Sequence, residues 1–213
     1  MFALDTQQVG RCDALNALDG IVHGFGTRLS TDWPAGGQVI SLRQVHSNRV
    51  IVANPSVCGV EGDALITDQP GLLLTIRTAD CMPILLADPR RMAVAAIHAG
   101  WRGAIAEIVP AAVCAMAENF GSRPKDLVAA IGPGIGVCCY EVGPEVAEMF
   151  RPGQQGVRID LAEVNRQQLM AAGVLNIYGS GSCTRCQAAL FHSYRRDGDA
   201  AGRMIAAIGL KGV

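Results

Sequence analysis

Three separate segments of the sequence contain side chains that commonly bind transition metals. His46, Cys81 and His98 each lie near a point where a predicted strand gives way to a loop, and loops held by a sheet are where functional groups concentrate. Two imidazoles and one thiolate would form a zinc site with three protein ligands and a fourth position open to water or substrate, as in catalytic zinc sites. Their spacing matches no local zinc-finger or His-Glu-x-x-His signature. In the alternative interpretation, Cys81 is a small buried residue and each histidine is a satisfied polar group.

An arginine next to the third segment suggests an anion-binding function. Arg102 lies between Gly100 and Gly103, where the hydrophobic pattern predicts that a helix begins. Free backbone N–H groups at a helix N-terminus favour an anion, and a guanidinium can bind phosphate or carboxylate in a bidentate manner. The alternative is that Arg102 is a solvated side chain.

Two other motifs have no predicted chemistry. The glycine-rich segment 132–136 resembles a dinucleotide-binding loop only superficially, because Pro133 removes an N–H that a pyrophosphate would need. Cys183 and Cys186 form a C-x-x-C pair, but we find no second pair and no thioredoxin-like context for it. The surroundings of Cys58, Cys114 and Cys138 predict packing functions.

Composition excludes several classes of protein. The 213 residues carry a net charge of -1, which argues against a nucleic-acid partner. They include only four histidines, which excludes chemistry that needs many imidazoles. No secretory signal and no apolar run long enough to span a membrane are present, so we expect a cytoplasmic protein without a membrane partner and with reduced cysteines. No coiled-coil pattern specifies the oligomeric state, which the sequence leaves open.

The hydrophobic pattern predicts an α+β fold in which residues 1–213 form a single domain, with a mixed β-sheet core flanked by helices. Strands outnumber helices too heavily for regular βαβ winding. One helix is expected from about Arg102 to Asn119, with a kink at Pro110. The other predicted elements are two strands or a hairpin within 39–53, strands over 63–67, 72–78, 84–87, 92–97, 127–131, 175–178 and 204–210, and helices over 144–150 and 160–172.

Six motifs in this order resemble the laccase-domain family, also known as the polyphenol oxidase or peptidoglycan editing factor family. The resemblance extends over about residues 20 to 210, including a C-terminal segment with Ser193-Tyr194-Arg195-Arg196-Asp197-Gly198. Only residues 29–42 lie between His23-Gly24-Phe25-Gly26-Thr27-Arg28 and the Gln-Val-His segment, a shorter stretch than family members usually have. The six motifs are Leu42-Arg43-Gln44-Val45-His46, Gly62-Asp63-Ala64-Leu65-Ile66-Thr67, Thr78-Ala79-Asp80-Cys81-Met82-Pro83, His98-Ala99-Gly100-Trp101-Arg102-Gly103, Ile131-Gly132-Pro133-Gly134-Ile135-Gly136 and Tyr140-Glu141-Val142-Gly143.

The resemblance implies an α+β fold and a zinc ion bound by His46, Cys81 and His98. It also implies phosphorolysis of adenosine, inosine, guanosine or methylthioadenosine to base and ribose 1-phosphate, together with deamination of adenosine. The expected partners are therefore a purine nucleoside and inorganic phosphate. Copper is the alternative metal, in a mononuclear phenol oxidase. The histidine count does not support a multi-copper laccase.

Adjacency gives hypotheses for the remaining site residues. Arg43 and Arg102 are candidates for binding substrate and stabilising phosphate charge. Asp80 would orient a ligand or move a proton. In a rival interpretation Cys81 is the nucleophile of a hydrolase or amidase that acts on peptidoglycan precursors, with His46 or His98 as its base. A third hypothesis is a metal-stabilised binding module.

Overall fold

Twelve strands and six short or medium helices make up the described part of the chain. The computed structural model describes residues 1–150 and 158–212. The strands are β1 Phe2–Leu4, β2 Val9–Cys12, β3 Ile21–Gly26, β4 Gln38–Ser41, β5 Val50–Val52, β6 Ala64–Thr67, β7 Leu72–Thr78, β8 Met82–Asp88, β9 Ala93–Ala99, β10 Val128–Ile131, β11 Asn176–Gly179 and β12 Met204–Leu210. The helices are α1 Asp13–Asn16, α2 Trp101–Ile105, α3 Ile108–Phe120, α4 Pro144–Phe150, α5 Leu161–Ala171 and α6 Tyr194–Asp197.

The strands form two mixed six-stranded sheets. The first sheet has the order β1-β2-β3-β12-β7-β4, and the second has the order β11-β10-β8-β9-β6-β5. Most neighbours are antiparallel, but β4 pairs with β7, β5 with β6 and β10 with β11 in parallel. The prediction of an α+β fold with a mixed sheet is therefore confirmed, and the mixed sheets number two.

The second sheet separates two hydrophobic cores. Alternate side chains of a strand point to opposite faces, so Leu85 of β8 packs toward the first sheet while Ile84 and Leu86 pack toward α3. Helix α3 contributes Ile108, Val109, Ala112, Val113 and Met116 at helical spacing to the outer core. The layers are therefore sheet, sheet and helices, and both cores share the second sheet.

The predicted strands and helices are largely present, with four corrections. The hairpin alternative for residues 39–53 is wrong, because β4 and β5 belong to different sheets. The helix predicted over 102–119 is two helices, and the break lies at Glu107, whose φ of 60° is left-handed. Pro110 does not kink α3, because it lies in the first turn, where its missing N–H has no helical partner. Strand β9 extends past His98 to Ala99.

None of the helices in the described residues combines the length and the apolar character needed to cross a bilayer.

His23 is a buried polar residue of the first sheet. Its Nε2 accepts a hydrogen bond of 2.9 Å from the backbone N–H of Cys12, and Arg11 donates to its carbonyl oxygen. Burial, with a contribution from the positive charge of Arg11, lowers the pKa of His23 to about 4. The imidazole is therefore neutral in the folded protein at neutral pH.

This depressed pKa predicts a loss of stability in mild acid. Below about pH 6.5 the His23 imidazole takes up a proton in the unfolded chain, whereas in the folded chain it is protonated only near pH 4. Each pKa unit corresponds to about 1.4 kcal/mol, so the contribution is about 3 kcal/mol across that window. His23→Gln retains an acceptor for the Cys12 N–H and does not titrate. Urea unfolding at a series of pH values should show that the variant lacks this part of the acid loss. Equal losses in both proteins would contradict the assignment.

Candidate functional site

The metal-ligand candidates His46, Cys81 and His98 converge at one end of the second sheet. Their ligand atoms all lie within 4.8 Å of one another. The Cys81 Sγ is 3.9 Å from His46 Nε2, and the two imidazole rings are 4.8 Å apart at an angle of 71°. His98 is buried, while Cys81 and His46 are partly accessible to solvent. The structure therefore brings together all three residues that the sequence places in separate segments.

The register of the second sheet brings Cys81 and His98 together. Strands β8 and β9 are antiparallel, with Met82 opposite Ala99 and Pro83 opposite His98. Cys81 immediately precedes β8, so it lies beside the residues that end β9. Gly100 completes this contact, because a Cβ there would lie 2.8 Å from Cys81 Sγ and 3.0 Å from His46 Cδ2. Any larger residue would occupy the space between the ligands.

The Asp63 carboxylate connects the two histidine segments. Asp63 directly precedes β6, whose antiparallel register with β9 places it beside His98. Its Oδ1 is 2.8 Å from His98 Nδ1 and accepts a bond of 3.0 Å from the His46 N–H. Its Oδ2 accepts from the N–H and the hydroxyl of Ser47 at 2.6 and 2.7 Å. This arrangement leaves His98 Nε2 available for a metal ion, the usual relationship between a carboxylate, a histidine and a metal.

Charge interactions within the site favour a thiolate. Burial by itself would raise the pKa of Cys81, but His46 and His98 lower it to about 6. Burial would likewise lower the pKa of His98, but contacts with Asp63 and Cys81 raise it to about 9. Burial opposes ionisation of Asp63, whereas its bonds with His98 and Ser47 lower its pKa to about 2. A cation between these groups, either a proton or a metal ion, is therefore stabilised.

The donor set fits a bound metal ion. A tetrahedral zinc ion with its usual bond lengths would separate a sulfur and a nitrogen ligand by about 3.6 Å, close to the 3.9 Å observed. The residues provide one soft thiolate and two imidazoles, a set that suits zinc and copper. Three protein ligands leave one position open, so the site has the composition of a catalytic centre rather than a structural one.

Asp80 contacts the C-terminal segment rather than the ligand set. Its Oδ1 accepts a 2.6 Å hydrogen bond from the Thr184 hydroxyl, and its Oδ2 accepts a 2.7 Å bond from the Arg195 N–H. Its φ of 90° is left-handed, as is the φ of 61° at His46. Non-glycine residues in this conformation each cost on the order of 1–3 kcal/mol and are concentrated at functional sites.

The two predicted arginines have different surroundings. The Arg102 guanidinium is exposed and stacks on the Trp101 ring, 4.3 Å from its centroid. Helix α2 has only five residues, so the dipole behind its N-terminus is small. The Arg43 guanidinium pairs with Glu61 Oε1 at 2.6 Å, which neutralises much of the charge that the substrate-binding hypothesis requires.

Tyr140 and Arg195 are site residues that sequence reasoning did not assign. The Arg195 guanidinium lies 5.3 Å from the centre of the Tyr140 ring. Burial and the nearby charge of Cys81 raise the pKa of Tyr140 to about 12, against the opposing charges of Arg195 and Arg102. The Tyr140 hydroxyl is therefore protonated at neutral pH. The signal in the sequence was the presence of both residues, and of Asp63, in the motifs shared with the laccase-domain family.

The chain is similar to one family model and to several known proteins. Residues 26–211 match a family model described as multi-copper polyphenol oxidoreductase laccase. The chain is 46% identical over 178 residues to a purine nucleoside phosphorylase of Deinococcus radiodurans, covering 79% of this chain and 69% of that protein. It is 37% identical to adenosine deaminase RL5 from an unknown prokaryotic organism, covering 92% of this chain and 82% of that protein. The crystal structure of YlmD from Geobacillus stearothermophilus superposes with a TM-score of 0.89 and 30% identity over 99% of both chains.

The position of Asp63 predicts that it controls metal affinity without touching the metal. Asp63→Asn retains the shape but removes the negative charge that orients His98, so the affinity for zinc should fall about 10–100-fold. Competition with a chromophoric chelator measures this change, and circular dichroism checks that the variant is folded. Asp88→Asn is the matched control, because Asp88 is also fully buried but accepts hydrogen bonds only from the Arg90 and Arg91 N–H groups. An unchanged affinity in folded Asp63→Asn would contradict the assignment.

Proposed function

Because the chain belongs to the polyphenol oxidoreductase laccase family, whose model matches residues 26–211, we propose that it is a zinc-dependent enzyme of purine nucleosides. It phosphorolyses adenosine, inosine, guanosine or methylthioadenosine to base and ribose 1-phosphate, and it deaminates adenosine. The observation that carries the proposal is the convergence of His46, Cys81 and His98 beside protonated Tyr140. The similarity to a purine nucleoside phosphorylase and to an adenosine deaminase supports these two reactions.

His46, Cys81 and His98 hold the metal, and Asp63 fixes the orientation of His98. When bound, the zinc ion supplies Lewis-acid activation of water or of a substrate oxygen at the open position. Asp63 also holds the backbone of His46 and Ser47, so the His98 imidazole and the segment that carries His46 are in place before substrate binds. This preorganisation lowers the cost of assembling the site during reaction.

Phosphorolysis requires an anion beside the ribose. The C1′–N bond to the base breaks, a C1′–O bond to phosphate forms, and the base leaves with a proton. Arg102 is the better placed of the two predicted arginines for the phosphate, because its guanidinium is exposed and Arg43 pairs with Glu61. Tyr140, which keeps its proton at neutral pH, donates a hydrogen bond to the substrate. We therefore assign phosphate binding to Arg102. Arg43 stays a candidate for substrate binding, although Glu61 partly neutralises its charge.

In deamination, water replaces phosphate as the nucleophile. Water adds to the purine carbon that bears the amino group, and ammonia leaves after proton transfer. Asp80 acts as a positioning residue in both reactions. Its two oxygens are occupied by Thr184 and Arg195, so it holds the segments that carry these residues against the loop that carries Cys81.

A hydrolase with Cys81 as nucleophile is the second candidate. The pKa of about 6 and the 3.9 Å distance to His46 are also what a cysteine–histidine nucleophile requires. The substrate in that case would be an amide or ester of the cell-wall precursor class. Metal dependence separates the two candidates, because a nucleophilic thiol must be free of metal.

The first test uses the purified protein with inosine or adenosine, with and without phosphate. We expect base and ribose 1-phosphate in equal amounts only when phosphate is present, and inosine from adenosine in its absence. Cys81→Ser should lose both activities together with its zinc. Cys58→Ser, which changes an exposed thiol outside both cysteine and histidine clusters, is the matched control.

Activity that persists in Cys81→Ser would come from a contaminating phosphorylase and would overturn the assignment. An active, metal-free protein that an alkylating agent inactivates at Cys81 would instead establish the hydrolase.

The second test separates phosphate binding from binding of the nucleoside. Arg102→Ala should raise the KM for phosphate about 10–100-fold, because a charge-assisted hydrogen bond contributes about 1.5–3 kcal/mol, and it should change the rate of deamination much less. Arg90→Ala is the control, because Arg90 is exposed and pairs with the remote Asp126. Arg43→Ala tests the other candidate. Equal losses of phosphorolysis and deamination in Arg102→Ala would contradict a phosphate-specific function.

A further inference from the structure

Four cysteines outside the candidate active site form a second cluster. Cys138, Cys139, Cys183 and Cys186 place all four Sγ atoms within 4.8 Å of one another. The structure therefore corrects two interpretations of the sequence. The C-x-x-C pair does have a second pair, Cys138-Cys139, and Cys138 is exposed rather than packed, as are Cys58 and Cys114.

Parallel strand pairing explains why the two pairs meet. Strands β10 and β11 are parallel neighbours, with Ile131 opposite Gly179. The loops that follow parallel strands leave the sheet at the same edge. Cys138 and Cys139 lie in the loop after β10, and the C-x-x-C pair lies in the loop after β11. A backbone bridge between Gly134 and Cys183 holds the loops together.

The distances between the sulfur atoms are those of a tetrahedral metal site. A zinc ion with four sulfur ligands at about 2.3 Å separates neighbouring sulfurs by about 3.8 Å. Cys138 Sγ lies 3.7 Å from Cys139 Sγ and 3.6 Å from Cys186 Sγ, and the last two are 3.3 Å apart. A disulfide bond requires about 2.05 Å, and all four cysteines are free.

The surroundings of the cluster suit a negatively charged metal–thiolate centre. The Gly136 N–H donates to Cys183 Sγ at 3.2 Å, and the Arg185 guanidinium is 3.6 Å from Cys139 Sγ. Gly136 approaches the cluster so closely that a Cβ would lie 3.3 Å from Cys138 Sγ and 3.5 Å from Cys183 Sγ. Arg158 and Arg195 line the same cavity as Cys138 and Cys139. Four thiolates and one divalent cation carry two net negative charges, which these guanidinium groups offset.

We propose that Cys138, Cys139, Cys183 and Cys186 bind a second zinc ion in a closed tetrathiolate site that is distinct from the His46–Cys81–His98 site. Four protein ligands leave no open position, so the function of this ion is structural. It joins the loop that leads to Tyr140 to the loop that contains Thr184. Because Thr184 donates to Asp80, next to Cys81, this ion stabilises one wall of the candidate active site.

The test is a metal count on protein loaded with zinc under reducing conditions and then freed of excess metal. The wild-type protein should retain two zinc ions per chain, and Cys186→Ser should retain one, as should Cys81→Ser. The double variant Cys81→Ser/Cys186→Ser should retain none. Cys58→Ser and Cys114→Ser change exposed cysteines outside both clusters and should retain two. These counts do not depend on enzymatic activity, so they remain informative if the proposed function fails.

Zinc X-ray absorption on the wild-type protein supplies a readout that needs no variant. A tetrathiolate site and a site with one thiolate together give an average of about 2.5 sulfur ligands per zinc ion at about 2.3 Å. One zinc ion per chain with a single sulfur ligand would overturn the proposal. A disulfide within the cluster that persists after reduction, or a Cys186→Ser protein that is folded and still retains two zinc ions, would also overturn it.

Discussion

The buried Asp63 carboxylate is the interaction on which the arrangement of the candidate active site depends. A buried charge is costly unless hydrogen bonds and opposite charge compensate it. Asp63 obtains this compensation from groups on two different segments, the His98 ring and the N–H groups of His46 and Ser47. Moving either segment away would leave the buried carboxylate only partly compensated. Because the buried Asp63 charge is fully compensated only when both segments contact it, it keeps His46 and His98 close together although they are distant in the sequence.

The same network offsets the strain in the loops that carry the site. His46 and Asp80 both have left-handed φ angles, and each costs on the order of 1–3 kcal/mol for a residue other than glycine. The segment at His46 is held by four hydrogen bonds to Asp63, from the N–H groups of Val45, His46 and Ser47 and from the Ser47 hydroxyl. Asp80 is held by Thr184 and Arg195. Because these bonds reach across the fold, the strained conformations persist only when the sheets, the loops and the C-terminal segment are all assembled.

The hydrophobic pattern predicted the strands from β4 onward because buried strands such as β8 and β9 are continuous apolar runs. It did not predict β1, β2 and β3 or the four-residue helices α1 and α6. It could not place the helix break at Glu107, because this residue has a left-handed φ but glutamate is not a helix-breaking residue type. The candidate metal ligands His46, Cys81 and His98 were predicted from residue type and family resemblance. The bond between Asp63 and His98 was not, because it depends on the register of β6 against β9. The four-cysteine cluster was missed for a similar reason. Cys139 and Cys186 are 47 residues apart and meet only through the parallel pairing of β10 with β11.

The positions of the four histidines argue against the multi-copper oxidase chemistry that the family's description names. Of the four histidines, His23 accepts a hydrogen bond from Cys12 in the first sheet, and the His192 ring lies against Gly202. Only His46 and His98 remain for metal binding. A single blue-copper centre already uses two histidines and a cysteine, so further copper ions would have to bind without imidazole ligands. The cysteine cluster offers only thiolates and, with four of them, no open position. In the proposed assignment, the described residues therefore contain one centre where a substrate could reach a metal ion, and the reactions that suit such a centre polarise a bond at a single ion.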